Sequence, residues 1–254
     1  MKTIAIVNQK GGVAKTTTTF NLATCLAAAG KNVLMVDLDP QASLTISAGI
    51  SPESYGDDNI CQLFQRKSRT ADYAITVDST ASVTADRLYI IPSDINLATT
   101  EMDIFSKTSR ERLLKKALNQ IEPLFDYCLI DCPPNLGMLT INALTAADKV
   151  IIPTKPEYLS YRGLAALFDT IEEITDDEDL NPHLEICGVI VTLYQKAIKD
   201  QRAMLELLQE KYHILGIIKQ SADTYRSIDN GTPVVISKPK SDVAHSYKEI
   251  AAML

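Results

Sequence analysis

The chain has 254 residues, 46% hydrophobic and 22% charged, an ordinary composition for a soluble globular protein with one large core or two small ones. Trp is absent and aromatics make up 6%, so the interior must be built mostly from Ile, Leu, Val and Ala. The net charge of −7 and a pI of about 5.0 exclude a broadly basic nucleic-acid-binding surface and leave room only for a local one.

In chain order, apolar β-rich runs alternate with helical patterns. Residues 3–7 read as a short strand, followed by a Gly-rich turn and a helix over 15–29 that Gly30 stops. Residues 32–36 form the next expected strand, which ends in Asp37-Leu38-Asp39-Pro40. The stretch 51–86 is the least regular and reads as an excursion from the main sheet, before a strand at 88–91. Leucines at helical spacing predict a helix over 109–121. Strands at 127–130 and 150–152 flank a helix over 139–147. A helix over 159–174 and strands at 186–193, 214–218 and 234–236 complete the pattern. The acidic run Asp176-Asp177-Glu178-Asp179 reads as a solvated loop. Strands separated by helix-length segments imply βαβ units: an α/β fold, one domain over 1–254, with a mainly parallel twisted sheet and helices on both faces.

The longest apolar runs, such as 4–7 and 150–153, are too short to span a bilayer, and the N-terminus is strand-like with no cleavage site, so a cytoplasmic protein is expected. Cys25, Cys61, Cys128, Cys132 and Cys187 are odd in number and irregularly spaced, which argues against a disulfide framework. Cys128 and Cys132 flank a strand end and read as buried free thiols.

The decisive stretch is Asn8-Gln9-Lys10-Gly11-Gly12-Val13-Ala14-Lys15-Thr16-Thr17-Thr18, placed after a strand and opening a helix. Glycines let the backbone curl so that N–H groups face phosphate oxygens, and the positive end of the helix adds to the attraction. The phosphate-binding set is Lys10, Gly11, Gly12, Val13, Ala14, Lys15, Thr16 and Thr17, with Lys15 placed to reach the β- and γ-phosphates and the Thr16 hydroxyl to ligate Mg²⁺. The strict pattern G-x-x-x-x-G-K-[ST] fails, because Gln9 and Ala14 stand at its glycine positions. The stretch matches K-G-G-x-x-K-[ST], a deviant Walker A motif with the second lysine Lys10. Two more carboxylate motifs follow strands: Asp37-Leu38-Asp39-Pro40-Gln41, and Asp131 within Leu129-Ile130-Asp131-Cys132-Pro133-Pro134. In an open α/β sheet such strand ends face the ligand crevice.

Together these motifs resemble those of ParA/Soj partitioning ATPases in the ParA/MinD superfamily, with a P-loop NTPase fold. The likeness runs over roughly residues 2–250 and includes Ile91-Pro92-Ser93, residues 153–158, and Gly231 with Pro233 and Val234. It implies that Lys10, Lys15 and Asp39 are catalytic. Lys10 would cross a nucleotide-sandwich homodimer to the partner's ATP, and Asp39 would orient the attacking water. Thr16, Asp39 and Asp131 would hold Mg²⁺, and Asp37 would hydrogen-bond around the P-loop and metal. It implies a dimer that binds DNA without sequence preference, associates with the nucleoid, and hydrolyses ATP when a ParB-like or adaptor protein stimulates it, so positioning a chromosome, plasmid or other cargo. One departure is Ile218-Lys219-Gln220-Ser221 where relatives carry an adenine-contacting I-P-R-N-like segment, which leaves the base contacts unassigned.

A MinD-like ATPase at a membrane surface is the alternative. The tail, residues 241–254, has one Lys, no Arg and two acids, and fits a packed terminal helix better than a membrane-surface one. An iron–sulfur carrier would need a second cysteine ligand to accompany Cys132, and the Asp37–Gln41 segment argues against a metabolic ligase. Because the P-loop starts at Asn8, no operator-binding extension is expected before it. Residues 196–240 hold eight Lys/Arg and five Asp/Glu, so positive charge concentrates late in the chain. Lys199, Arg202 and Arg226 are the expected DNA contacts.

Overall fold

Seven apolar runs pair side by side in parallel: β1 (Lys2–Ile6), β2 (Val33–Asp37), β4 (Leu88–Ile91), β5 (Tyr127–Asp131), β6 (Lys149–Thr154), β7 (Glu185–Tyr194) and β8 (Ile214–Lys219). A two-residue β3 (Ile75–Thr76) joins the edge antiparallel to β4. The order across the eight-stranded sheet is β3-β4-β2-β5-β1-β6-β7-β8. The computed structural model describes all residues except 53–58, 66–69 and 225–230, and sets aside the side chains of Ser79 and Ala81. The helices are α1 (Lys15–Ala28), α2 (Ser43–Ser47), α3 (Ile60–Gln65), α4 (Ala81–Thr84), α5 (Leu97–Ile104), α6 (Leu113–Leu118), α7 (Met138–Ala146), α8 (Tyr158–Asp176), α9 (Lys199–Lys211), α10 (Val234–Ser237) and α11 (Asp242–Ala252).

The central strands are apolar on both sides because helices cover both faces. Alternation along each strand divides the core. Ala5, Val7, Leu34 and Val36 pack with Leu97 and Ile104 of α5, Leu113 of α6, Leu139 of α7 and Leu164 of α8. Ile4, Ile6 and Met35 face the other way, onto Phe20 and Leu22 of α1, Leu44 of α2, Val234 of α10 and Tyr247 of α11. β1 lies between β5 and β6, so the loop leaving it emerges at the middle of the sheet's C-terminal edge.

Most expected elements are present within a residue or two. Gly30 follows α1 with φ of +88°, a conformation that suits the residue after a helix end. Three expectations change. Residues 234–236 form the helix α10 and not a strand: the Pro233 carbonyl accepts from Ile236 and Ser237, and the Val235 N–H donates to Asn21 Oδ1 on α1. Anchoring to α1 overrides the β preference of Val-Val-Ile. The helix expected over 109–121 is divided into a 3₁₀ turn at Arg110–Arg112 and a short α6: Ser109, left-handed with φ of 52°, precedes the turn, and Arg112, with φ of −108° and ψ of 7°, leaves helical geometry before α6. The irregular stretch 51–86 contains α3, β3 and α4.

The acidic run is exposed, with Asp176 ending α8 and Asp177-Glu178-Asp179 following it. Cys128 and Cys132 are buried free thiols, and burial pushes both above the ordinary thiol range. No cluster of three or more His, Cys, Asp or Glu suited to a metal ion occurs among the described residues, and no helix among them is long and apolar enough to cross a membrane. α11 buries Val243, Ala244, Tyr247 and Ile250 against α1 and β8. Tyr247 is fully buried, with its hydroxyl 3.4 Å from Thr18 Oγ1. Tyr247→Ala should therefore lower unfolding stability by roughly 3 kcal/mol in chemical denaturation. A loss below about 1 kcal/mol would mean that the helix is not an integral part of the core.

Candidate active site

The loop from Asn8 to Ala14 is fastened from beneath. Asn8 Nδ2 donates to the Pro153 carbonyl at 2.7 Å, while Asn8 Oδ1 accepts from the Lys10 N–H at 2.9 Å. Gln9 Nε2 reaches the Gly163 carbonyl at 2.6 Å, and Thr192 Oγ1 on β7 donates to the Val13 carbonyl at 3.0 Å. Helix α1 then begins with no side-chain cap, so its first N–H groups are left for an external acceptor. Ala14, at a position where a strict P-loop has glycine, is held at φ 63° and ψ 36°, in the left-handed region that costs a Cβ-bearing residue about 1 kcal/mol.

A cavity of about 300 Å³ lies over this loop, lined by Gly11, Gly12, Ala14, Lys15, Thr16, Asp39, Ser43, Ser47 and Pro134. Lys15, Thr16 and Asp39 thus line one cavity. The Lys15 ammonium is buried, and its hydrogen bond is to the Lys10 carbonyl at 3.3 Å. Burial holds its pKa below the ordinary lysine value, opposed by the charges of Asp131, Cys132 and Asp39. A buried ammonium facing a cradle of N–H groups calls for an anion.

Asp37 and Asp131 are register partners at the ends of β2 and β5. Both are buried. Burial raises Asp37 to about 6, against the hydrogen bonds it receives from Thr45 and Asp39. Burial and the neighbouring Asp37 charge raise Asp131 to about 8, against the Thr16 hydrogen bond and the Lys15 charge. Thr16 Oγ1 donates to Asp131 Oδ2 at 2.6 Å, so the hydroxyl and carboxylate of a Mg²⁺ donor set are already adjacent. Their oxygen chemistry and the crowding of negative charge fit a hard divalent cation.

Asp37 Oδ1 accepts from the Asp39 N–H at 3.1 Å, and its Oδ2 accepts from the Thr45 N–H at 2.9 Å and hydroxyl at 2.8 Å, so it braces the segment after β2. Asp39 is only partly buried and lies at the cavity wall, with Oδ1 accepting from the Gln41 N–H at 2.9 Å. Ser93 closes the brace: its N–H donates to Thr45 Oγ1 and its hydroxyl to the Asp39 carbonyl, each at 2.9 Å. Thr45 was not foreseen, because nothing local in its sequence marks it.

Lys10 turns away from the cavity. Its ammonium bonds Glu157 Oε2 at 2.7 Å and Ser160 Oγ at 2.9 Å at the start of α8, partners 147 and 150 residues distant. Thr17 is buried in the first turn of α1, and its carbonyl accepts from Asn21 Nδ2 at 2.8 Å.

The basic residues do not form one patch. Lys199 and Arg202 are exposed in the first turn of α9, beyond the C-terminal end of β7, with Arg202 Nη1 bonded to the Lys196 carbonyl at 2.6 Å. Lys211 lies at the other end of α9, about 18 Å away by helical rise, against the Tyr161 and Tyr212 rings. Lys219 is paired with Asp242 at 2.7 Å. Arg226 lies outside the described residues.

The model of a family described as an AAA domain matches residues 1–186. The chain is 37% identical to the sporulation initiation inhibitor protein Soj of Bacillus subtilis (strain 168), covering 98% of this chain and 96% of that protein. It is 39% identical to the chromosome partitioning protein ParA of Caulobacter vibrioides, covering 99% and 92%. Among solved structures, cobyrinic acid a,c-diamide synthase from Mycobacterium smegmatis with bound ADP and magnesium is 32% identical, with a TM-score of 0.84 over 99% of this chain and 93% of that one. A plasmid-partition type protein from Borrelia burgdorferi B31 bound to AMPPNP is 28% identical, with a TM-score of 0.84 over 99% and 97%.

Two outcomes follow from the site's geometry. Ala14→Gly should relieve the left-handed backbone, raise stability by about 0.5–1 kcal/mol in urea denaturation and leave nucleotide binding intact; a destabilised variant would show that the Ala14 conformation carries no strain. Because both buried aspartates have folded pKa values above the unfolded value of 3.8, the fold binds more protons than the unfolded chain in this range. Stability without nucleotide should therefore fall as pH rises from about 4 to about 8, with both aspartates contributing up to about 6 and Asp131 alone above it, and Asp131→Asn should flatten the decline. An equal slope in the variant would assign the dependence elsewhere.

Proposed function

Because the chain belongs to the Soj/ParA family of chromosome-partitioning ATPases, we propose that it is an Mg-dependent partitioning ATPase that dimerises on ATP, binds DNA without sequence preference and positions a chromosome, plasmid or other cargo. The observation that carries the reading is the buried Lys15 ammonium beside an uncapped helix start, with Asp39 and the Thr16–Asp131 pair at the same cavity. Lys15 pairs with β- and γ-phosphate oxygens, and the N–H groups from Gly11 to Thr17 cradle the chain of phosphates. Thr16, Asp131 and Asp39 would hold Mg²⁺, which would supply charge neutralisation at the phosphates. Asp39, on a partly exposed loop, orients the attacking water; this is positioning more than strong base chemistry.

Lys10 is the residue that links two chains. Its bonds to Glu157 and Ser160 lie at a half-exposed surface, where an ion pair contributes about 1 kcal/mol or less. A partner's phosphates offer more charge, so Lys10 swings from α8 to the partner's nucleotide when two chains close. DNA contact through Lys199 and Arg202, with Arg226 as a further candidate, is weak in one protomer and doubles in the dimer. A ParB-like or adaptor protein stimulates turnover, and the protein works in the cytoplasm on the nucleoid.

The test is a mobility-shift assay on two unrelated duplexes at two salt concentrations, with ATP, ADP or no nucleotide, run on the wild type and on Asp39→Ala. ATP-dependent, salt-sensitive binding to both duplexes is expected, and the variant should stay bound as a dimer because it hydrolyses ATP very slowly. Binding without nucleotide, preference for one duplex or wild-type turnover in Asp39→Ala contradicts the mechanism. ATP-dependent liposome binding without DNA binding would instead favour action at a membrane. ATP turnover with neither would favour a small-molecule ligase of the kind that the Mycobacterium smegmatis structure is named for.

A further inference from the structure

Ser93 does not line the nucleotide cavity, yet it touches the segment that carries Asp39. β4 pairs with β2 so that Ile91 lies opposite Val36, and Ser93 therefore emerges beside the Asp37 end of β2. Its neighbours in the chain are fixed. Pro92 has a restricted φ, and its carbonyl accepts from the Ile60 N–H at the start of α3 at 3.0 Å. Asp94 Oδ2 accepts from Asn59 Nδ2 at 2.8 Å. Ser93, itself buried, is thus a post held from both sides.

The Asp39 carbonyl accepts two hydrogen bonds, from the Ala42 N–H at 2.8 Å and from the Ser93 hydroxyl at 2.9 Å. Ala42 closes this turn at φ 52° and ψ 32°, a left-handed conformation that a residue with a Cβ adopts only where its surroundings enforce it. The other hydrogen bonds of Asp39 come from Asp37 and Gln41, within its own segment. Among the described residues, the Ser93 hydroxyl is the group from outside 37–45 that hydrogen-bonds Asp39. Ser93 is in turn aimed by Thr45. The Thr45 hydroxyl accepts from the Ser93 N–H at 2.9 Å and donates to Asp37 Oδ2 at 2.8 Å. Asp37, Thr45, Ser93 and Asp39 thereby close a ring of hydrogen bonds around the strand end. Thr45 is buried and, like Ser93, does not line the cavity.

We infer that Ser93 and Thr45 are positioning residues for ATP hydrolysis: the Ser93 hydroxyl, aimed by Thr45, fixes the Asp39 backbone and so sets where the Asp39 carboxylate meets the attacking water. This rests on the reading that Asp39 orients that water. The two residues act on turnover and not on nucleotide affinity, because phosphate is held by the loop and helix α1, which the ring does not touch. Displacing an orienting group by about 1 Å can slow a reaction by about a hundredfold while leaving binding as it was. A valine at 45 keeps the shape of threonine but neither donates nor accepts, whereas a serine does both. Hydroxyl chemistry and packing are therefore separable at this position.

The test is steady-state ATP turnover of the full chain in Mg-ATP, with ATP binding measured alongside. Ser93→Ala deletes the hydroxyl and leaves the N–H on Thr45; it should lower kcat about tenfold and keep KM and ATP affinity within about twofold. Thr45→Val should lower kcat at least as much, and Thr45→Ser should recover most of the loss. The Ser93→Ala/Thr45→Val double variant should be no slower than Thr45→Val, because both changes break one ring. Hydrogen exchange over 38–46, followed by mass spectrometry without nucleotide, reads the ring apart from catalysis: the Ala42 amide should exchange about tenfold faster in Ser93→Ala. Wild-type kcat in Ser93→Ala, a rise in KM at unchanged kcat, or Thr45→Ser as slow as Thr45→Val overturns the inference. Faster exchange with no loss of kcat would leave a brace without a role in turnover, and overturns it too. Asp39→Ala separates this failure from that of the reading beneath it. If Asp39→Ala is inactive while Ser93→Ala turns over like the wild type, the inference alone falls. If Asp39→Ala keeps wild-type turnover, or the wild type hydrolyses no ATP, the assignment of Asp39 falls and the positioning role with it, and the exchange measurement still decides whether the ring holds the turn.

Discussion

Parallel pairing of β2 with β5 forces Asp37 and Asp131 side by side at buried strand ends, and the catalytic end of the molecule is organised around their repulsion. Neither carboxylate can remain buried without donors. Asp37 takes its donors from Thr45 and the Asp39 N–H, which folds the segment after β2 back onto the sheet. Asp131 takes its donor from Thr16, which draws the start of α1 toward β5. Each carboxylate thus recruits one wall of the nucleotide cavity, and the excess negative charge between them is what suits the site to a cation.

The two lysines of the loop show how burial divides labour. Lys15 is buried with one carbonyl hydrogen bond, and burial outweighs the nearby Asp131 and Asp39 carboxylates, so its charge is costly without an anion. Lys10 rests at a half-exposed ion pair with Glu157, where solvent makes both the formation and the breaking of the contact inexpensive. One ammonium is held inside the fold, and the other rests at its surface. Anchors at Asn8, Gln9 and the Val13 carbonyl fasten the loop that carries both.

What was legible in the sequence was whatever depends on local order. A strand, a Gly-rich turn and a helix dictate where Lys15 and Thr16 lie, and a carboxylate at a strand end dictates where Asp39 and Asp131 lie. Contacts between distant segments were not legible. Lys10 and Glu157 are 147 residues apart, and nothing near either names the other. Val234-Val235-Ile236 reads as a strand by side-chain type, yet Asn21 on α1 captures its backbone into a helical turn. The late surplus of positive charge was real as a count, but Lys211 and Lys219 point to partners of their own, while Lys199 and Arg202 share the first turn of α9 with the Lys196 carbonyl against Arg202.

The placement of α11 has a consequence for synthesis. This helix packs on α1, and Lys2 at the start of β1 bonds the Leu254 carbonyl, so both neighbours of the phosphate loop are fastened by residues made long after them. A nascent chain on the ribosome can pair its early strands, but α1 keeps Phe20 and Leu26 without part of their cover until residues 242–252 emerge. The cover over α1, the helix that the loop opens, is therefore completed only by a segment that emerges well after it.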